Sequence, residues 1–156
     1  MTAAPLVEIR ILDPRIHGWG LPRHHSAMAA GVDLYACVAA PTEIAPQSPA
    51  LLIPAGIAIH INDPGYTALI VPRSGLGHRA GLVMGNLVGV IDADYTGPVM
   101  ISAWNRNPPG TAPVVIQPGD RIAQMLFVPV VHPQFTVVET FTAPSGRGEG
   151  GFGSTG

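Results

Sequence analysis

Apolar residues recur along this chain in short runs, several with the two-residue period of a half-buried strand. In LVEIRIL, Val7, Ile9 and Ile11 alternate with Glu8 and Arg10, so alternate positions face core and solvent. Further strand-like runs follow at VDLYACV, ALLIP, GIAIHI, TALIVP, VMISAWN, APVVI, RIAQMLFVPVV and QFTVVET. Nineteen glycines and seventeen prolines separate them, a density that argues against long helices. Only SGLGHRAG, from Ser74 onward, reads as a helix, and a short one. Many short strands joined by such turns form a sandwich, a jelly roll or a barrel. The pattern therefore predicts an all-β fold with one short helix. At 156 residues, without internal repeat or linker, the chain fits a single domain.

The pattern changes near the end. APSGRGEGGFGSTG, from Ala143, holds six glycines and one large apolar residue, Phe152. Such a segment cannot bury enough surface to offset its ordering entropy. The expected boundaries are a β-rich body over 1–142 and a flexible Gly-rich segment over 143–156. A frayed terminus is the ordinary reading of such a tail. The alternative is a flap, in which Arg147 meets an anion and Phe152 stacks on a ring.

Composition removes several classes of function. With 47% hydrophobic and 12% charged residues, the chain is not intrinsically disordered. A net charge of −2 provides no field that would attract nucleic acid or an anionic membrane. All eight basic residues are arginine, so there is no Schiff-base lysine and no P-loop lysine. Arginine, with its fixed fork of donors, suits phosphate. Cys37 is alone, which excludes an internal disulfide and a thiolate zinc cluster and points to a buried structural thiol. The N-terminus lacks a signal pattern, and no apolar run reaches the about 18 residues of a membrane span. A cytoplasmic protein is expected.

Four stretches could carry chemistry. GNLVGVIDADYTGPV places Asp92 and Asp94 in an otherwise apolar run, with Tyr95 directly after. On a strand the two acids would share a face and could clamp a divalent cation. In a turn, which Thr96-Gly97-Pro98 suggests, one acid could be a capping residue. A single carboxylate beside an apolar wall could instead orient a water as general base. PRSGLG ends a strand and opens the short helix, so Arg73, Ser74 and nearby backbone N–H groups could receive an anion. PGDRIAQMLF sets Arg121 and Gln124 among apolar residues. AGVDLYA places Asp33 in an apolar run, where a buried acid needs a partner.

Taken in order with RGEGGFGSTG, these stretches resemble the five motifs of the trimeric deoxyuridine triphosphate nucleotidohydrolases, the dUTPases, of bacterial type. The likeness also runs through ILDPR, MISAWNR and QMLFVPVV and covers nearly the whole chain. It implies a distorted jelly roll (a β-clip) assembled as a homotrimer, with active sites shared between subunits and strands exchanged. It implies hydrolysis of dUTP to dUMP and pyrophosphate, which limits uracil in DNA and supplies dUMP for thymidylate synthesis. By the same resemblance Asp92 activates water. Asn86 and the backbone around Val90, Ile91 and Met100 read uracil, and Tyr95 packs under the deoxyribose. Arg73, Ser74, Gly75 and Gln124 meet phosphate. From the tail, Arg147, Gly153 and Ser154 meet phosphate and Phe152 stacks over the base. Mg²⁺ is held by the triphosphate and waters, without direct protein ligands, and Asp33 touches a water of its shell. Asp94 stabilises the hairpin, and Arg121 is a structural or inter-subunit partner.

The chain departs from the pattern at Ala93, where many relatives have serine, and at Pro98 after the turn glycine. HGWGLPRHH matches no motif; its His24 and His25 read as exposed loop residues rather than zinc ligands. Two rival functions remain at this level. One is a dCTP deaminase of the same fold, and the other a non-catalytic trimer that binds a nucleotide.

Overall fold

The computed structural model describes residues 4–143, 145, 146 and 148. Ten strands run in chain order: β1 (Glu8–Ile11), β2 (Val32–Tyr35), β3 (Thr42–Ile44), β4 (Leu51–His60), β5 (Tyr66–Pro72), β6 (Leu82–Met84), β7 (Gly89–Ile91), β8 (Pro98–Asn105), β9 (Val114–Ile116) and β10 (Arg121–Pro129). One four-stranded sheet has the order β1-β4-β8-β6, a second the order β2-β10-β5-β7, and β3 pairs with β9. Every pairing is antiparallel.

Alternation builds one core from both large sheets. Ile53, Ile57 and Ile101 come from the first, Leu34, Ile70 and Met125 from the second, and all are buried together. Each such side chain contributes about 1.5–3 kcal/mol by leaving water. The all-β, jelly-roll-like expectation holds. Cys37 lies in this core, and burial pushes its thiol up to about 11; it packs as a small apolar group, as the sequence suggests.

The elements differ from expectation in four places. ALLIP and GIAIHI are one strand, β4, whose register shifts between Pro54 and Ala58. Gly56 carries that irregularity at φ 73°, with Cys37 Sγ where a Cβ would stand. The carbonyl of Gly56 accepts from the N–H groups of Leu12 and Asp13. Second, the described residues hold two helical turns rather than one. A π-helical turn, Leu76–Ala80, occupies the predicted place, and a four-residue α-helix, α1 (Ile16–Trp19), lies in DPRIHGWG. Four residues are too few to show a helical period. Third, β3, β6 and β7 have three residues each and are likewise too short to announce themselves. Fourth, QFTVVET pairs with no strand among the described residues. Residues 131–143 are all exposed, with Phe135 91% and Val137 100% accessible.

A strap of the N-terminal segment braces the second sheet. Arg15 binds Asp13 (Nη2 to Oδ2 2.6 Å) and donates to the carbonyls of Val38 and Cys37. Those bonds hold the Asp13 carboxyl below its ordinary range. The Arg15 guanidinium lies 5.3 Å from the Trp19 ring centre, and Trp19 stacks on Tyr35. Trp19 also covers Gly119, at φ 84°, where a Cβ would come within 2.7 Å of the indole. Gly119 thereby lets the PGD turn approach the strap before β10 begins.

Candidate active site

The turn between β7 and β8, which lie in different sheets and so form no hairpin with each other, makes the first part of the site. β7 pairs with β5, Ile91 opposite Ala68 and Gly89 opposite Ile70. The turn closes through Tyr95 N–H to the Asp92 carbonyl (3.1 Å), and the Tyr95 hydroxyl donates to the Pro98 carbonyl (3.0 Å). Thr67 Oγ1 donates to the Ile91 carbonyl (2.7 Å), and Asn62 N–H to that of Ala93 (2.9 Å). These bonds fix the backbone on both sides of Asp92.

Asn86, Val90, Ile91, Asp92, Tyr95 and Met100 line one cavity of about 200 Å³, closed by Ile70 and Val99. The six residues singled out in this stretch of the sequence are therefore brought together. The space is smaller than a pocket for a drug-sized ligand, about 300–1,000 Å³, and suits one planar ring. Asp94 does not line it. Asp94 faces a larger space of about 500 Å³ beside Asp63 and His132, which Asp92 also borders. Among the described residues no three His, Cys, Asp or Glu side chains stand where they could hold a metal ion.

The second part centres on Asp33, only 3% accessible. Its Oδ1 accepts from Arg73 Nε (2.9 Å) and Gln124 Nε2 (3.4 Å), and its Oδ2 from Arg121 Nη1 (3.1 Å). His25 Nε2 lies 3.2 Å from Oδ2. The buried acid thus has the partners its burial requires. On a regular strand, residues three apart such as Arg121 and Gln124 point to opposite faces. Here the register of β10 against β2 shifts between Arg121 and Ala123. The extra residue brings both side chains onto one carboxylate.

Arg73, Ser74, Gly75 and Gln124 line a cavity of about 230 Å³ together with Leu76 and Arg79. Arg79 is a cation that the sequence reading missed. Its Nη2 would stand 3.0 Å from a Cβ on Gly75, so that glycine makes room for it. The wide π turn brings Arg79 back over the start of its own segment, a return that sequence spacing does not reveal. Arg106 donates from Nε and Nη2 to the Gly77 carbonyl, and Asn107 Nδ2 to that of Ala80 (2.9 Å). Both fasten the turn to the end of β8. Among the described residues, two arginines, Arg73 and Arg79, and no acid line this cavity, which leaves it positive and suited to an anion.

The ring-sized cavity and the arginine-lined cavity share no lining residue. Arg147, Phe152, Gly153 and Ser154 lie outside the described residues.

Comparison with known proteins places the chain. A family model described as dUTPase matches residues 18–156. A deoxyuridine 5'-triphosphate nucleotidohydrolase of Klebsiella pneumoniae is 52% identical over 151 residues, 96% of each chain. That of Psychromonas ingrahamii is 53% identical over 151 residues, 96% of this chain and 97% of its own. Among solved structures, a mutant dUTPase of Staphylococcus bacteriophage 80alpha with dUpNHpp superposes with a TM-score of 0.80 at 26% identity, covering 97% of this chain and 98% of that one. A mutant dUTPase from phage phi11 of S. aureus, described with a structural Mg(II) ion, gives 0.73 at 25% identity, covering 88% and 99%. With the motifs, the fold and these likenesses in agreement, the chain belongs to the dUTPase family.

Proposed function

We infer that the protein is a dUTP diphosphatase, which hydrolyses dUTP to dUMP and pyrophosphate. The observation that carries this reading is the single cavity that unites Asn86, Val90, Ile91, Tyr95 and Met100 with an exposed carboxylate, Asp92. A polar edge that the bound base covers and that pairs with uracil is left unpaired by cytosine, which rejects it strongly. The tight walls exclude the 5-methyl group of thymine by volume. Tyr95, tied to Pro98, leaves no room under the sugar for a 2′-hydroxyl.

Asp92 holds a water and takes its proton as the oxygen attacks the α-phosphorus. The bond from that phosphorus to the bridging oxygen breaks, and pyrophosphate leaves with the electron pair. Arg73, Ser74, Gly75 and Gln124 receive the phosphates, and Arg79 joins them. From the tail, Arg147, Gly153 and Ser154 add phosphate contacts, and Phe152 closes over the base as residues 143–156 fold down as a lid.

Magnesium fits this site as a companion of the triphosphate. An arginine-lined cavity attracts the anion and not the bare cation, so triphosphate oxygens and water would be the metal's ligands. When bound, the ion would fix the triphosphate conformation and offset charge that builds during attack. Asp33 has four nitrogen neighbours on its two oxygens. Its role is therefore to aim Arg73 and Gln124, and a contact with a magnesium-bound water requires one neighbour to yield.

The working unit is a homotrimer. Separate base and phosphate cavities in one chain are joined when subunits contribute different parts of each site. Strand-like QFTVVET, bare on its own chain, pairs with a neighbouring subunit. The cytoplasm, where the nucleotide pool lies, is the proposed location, and no described helix is long and apolar enough to cross a membrane. The products decide between this reading and deamination: pyrophosphate from dUTP supports it, and ammonia from dCTP contradicts it.

A further inference from the structure

HGWGLPRHH, which matches no motif in the sequence, runs from the Trp19 strap toward Asp33. From Leu21 to Met28 nearly every residue is exposed, with Met28 96% accessible. Apolar burial therefore does little to hold this loop. Its polar tether is His25, whose Nε2 stands 3.2 Å from Asp33 Oδ2 while the ring stays 43% exposed.

We propose that His25 is a positioning residue for triphosphate binding, acting through Asp33 on Arg73 and Gln124. An ionised carboxylate accepts in about four directions. Three are filled by Arg73, Gln124 and Arg121. The remaining side of Oδ2 faces the loop, and His25 closes it against water. Water on that side would compete for the charge that holds Arg73. The Arg73 guanidinium would then sample orientations turned away from the cavity it lines with Ser74 and Gly75. His25 is not among the residues lining that cavity, so its effect reaches the phosphates only through the acid. The outlying position of His25 also means that its removal leaves the core intact.

The inference rests on the dUTPase reading and is tested by binding. Affinities for the non-hydrolysable analogue dUpNHpp and for phosphate-free deoxyuridine are measured on the full chain, on His25→Ala and on His25→Gln. Glutamine sets an amide N–H near the place of Nε2. His25→Ala is expected to bind dUpNHpp about fivefold more weakly, deoxyuridine unchanged, with little change in melting temperature. His25→Gln is expected to restore dUpNHpp affinity to within about twofold. Unchanged dUpNHpp affinity in His25→Ala overturns the proposal. So does equal weakening for both ligands, which marks a general structural role, and so does failure of the glutamine to restore binding. If the unaltered chain binds neither ligand, the hydrolase reading itself fails, which is a distinguishable result.

Discussion

Ala93, between the two acids, packs against the core. Both acids border the larger space, and only Asp92 also borders the ring-sized cavity. That only Asp92 reaches the ring-sized cavity supports the proposal that it is the reacting acid. Asp92→Asn keeps the size of the side chain and removes the base. It should bind dUpNHpp normally and lose kcat by about 10²–10⁴-fold. A variant that turns over at the normal rate removes Asp92 from the chemistry. Asp33 was legible in a different way. A carboxylate in an apolar run announces that it needs partners, but not which ones. His25 could not be foreseen, because a loop histidine carries no signal until the loop is placed.

At the level of elements, the longer strands were readable as apolar runs bounded by glycine and proline, although β4 read as two. The features that aim the phosphate ligands were not. The bulge in β10 has no residue signature of its own, yet it places Arg121 and Gln124 on the same carboxylate. A short helix was legible at SGLGHRAG, but its π winding was not, and the turn depends on the end of β8 for support through Arg106 and Asn107. Arg106→Ala removes two bonds to the Gly77 carbonyl and leaves the base cavity untouched. The variant should therefore show a KM for dUTP about three- to tenfold higher, with kcat within about twofold. A fall in kcat with unchanged KM contradicts a role confined to supporting the phosphate turn.

For the molecule as a whole, the sequence was strand-like where the single chain has no strand. QFTVVET alternates as a strand should, but among the described residues it pairs with no strand of its own chain. Its pairing in another subunit, and the division of the site between subunits, are testable together. Asp92→Asn and Arg73→Ala chains, each inactive alone, are unfolded and refolded as an equal mixture. If each site takes its β7–β8 turn from one subunit and its arginine from another, about a quarter of sites regain both intact parts. If one chain supplies both, the mixture stays inactive. The base cavity, the carboxylate beside it and the positive phosphate cavity converge on one reaction. The most direct test is pyrophosphate release from dUTP, dTTP, dCTP and UTP in parallel, with Mg²⁺ and with EDTA. Rapid release from dUTP alone, slowed by EDTA, is the predicted result. Release from none of the four, or equally from all, contradicts the assignment.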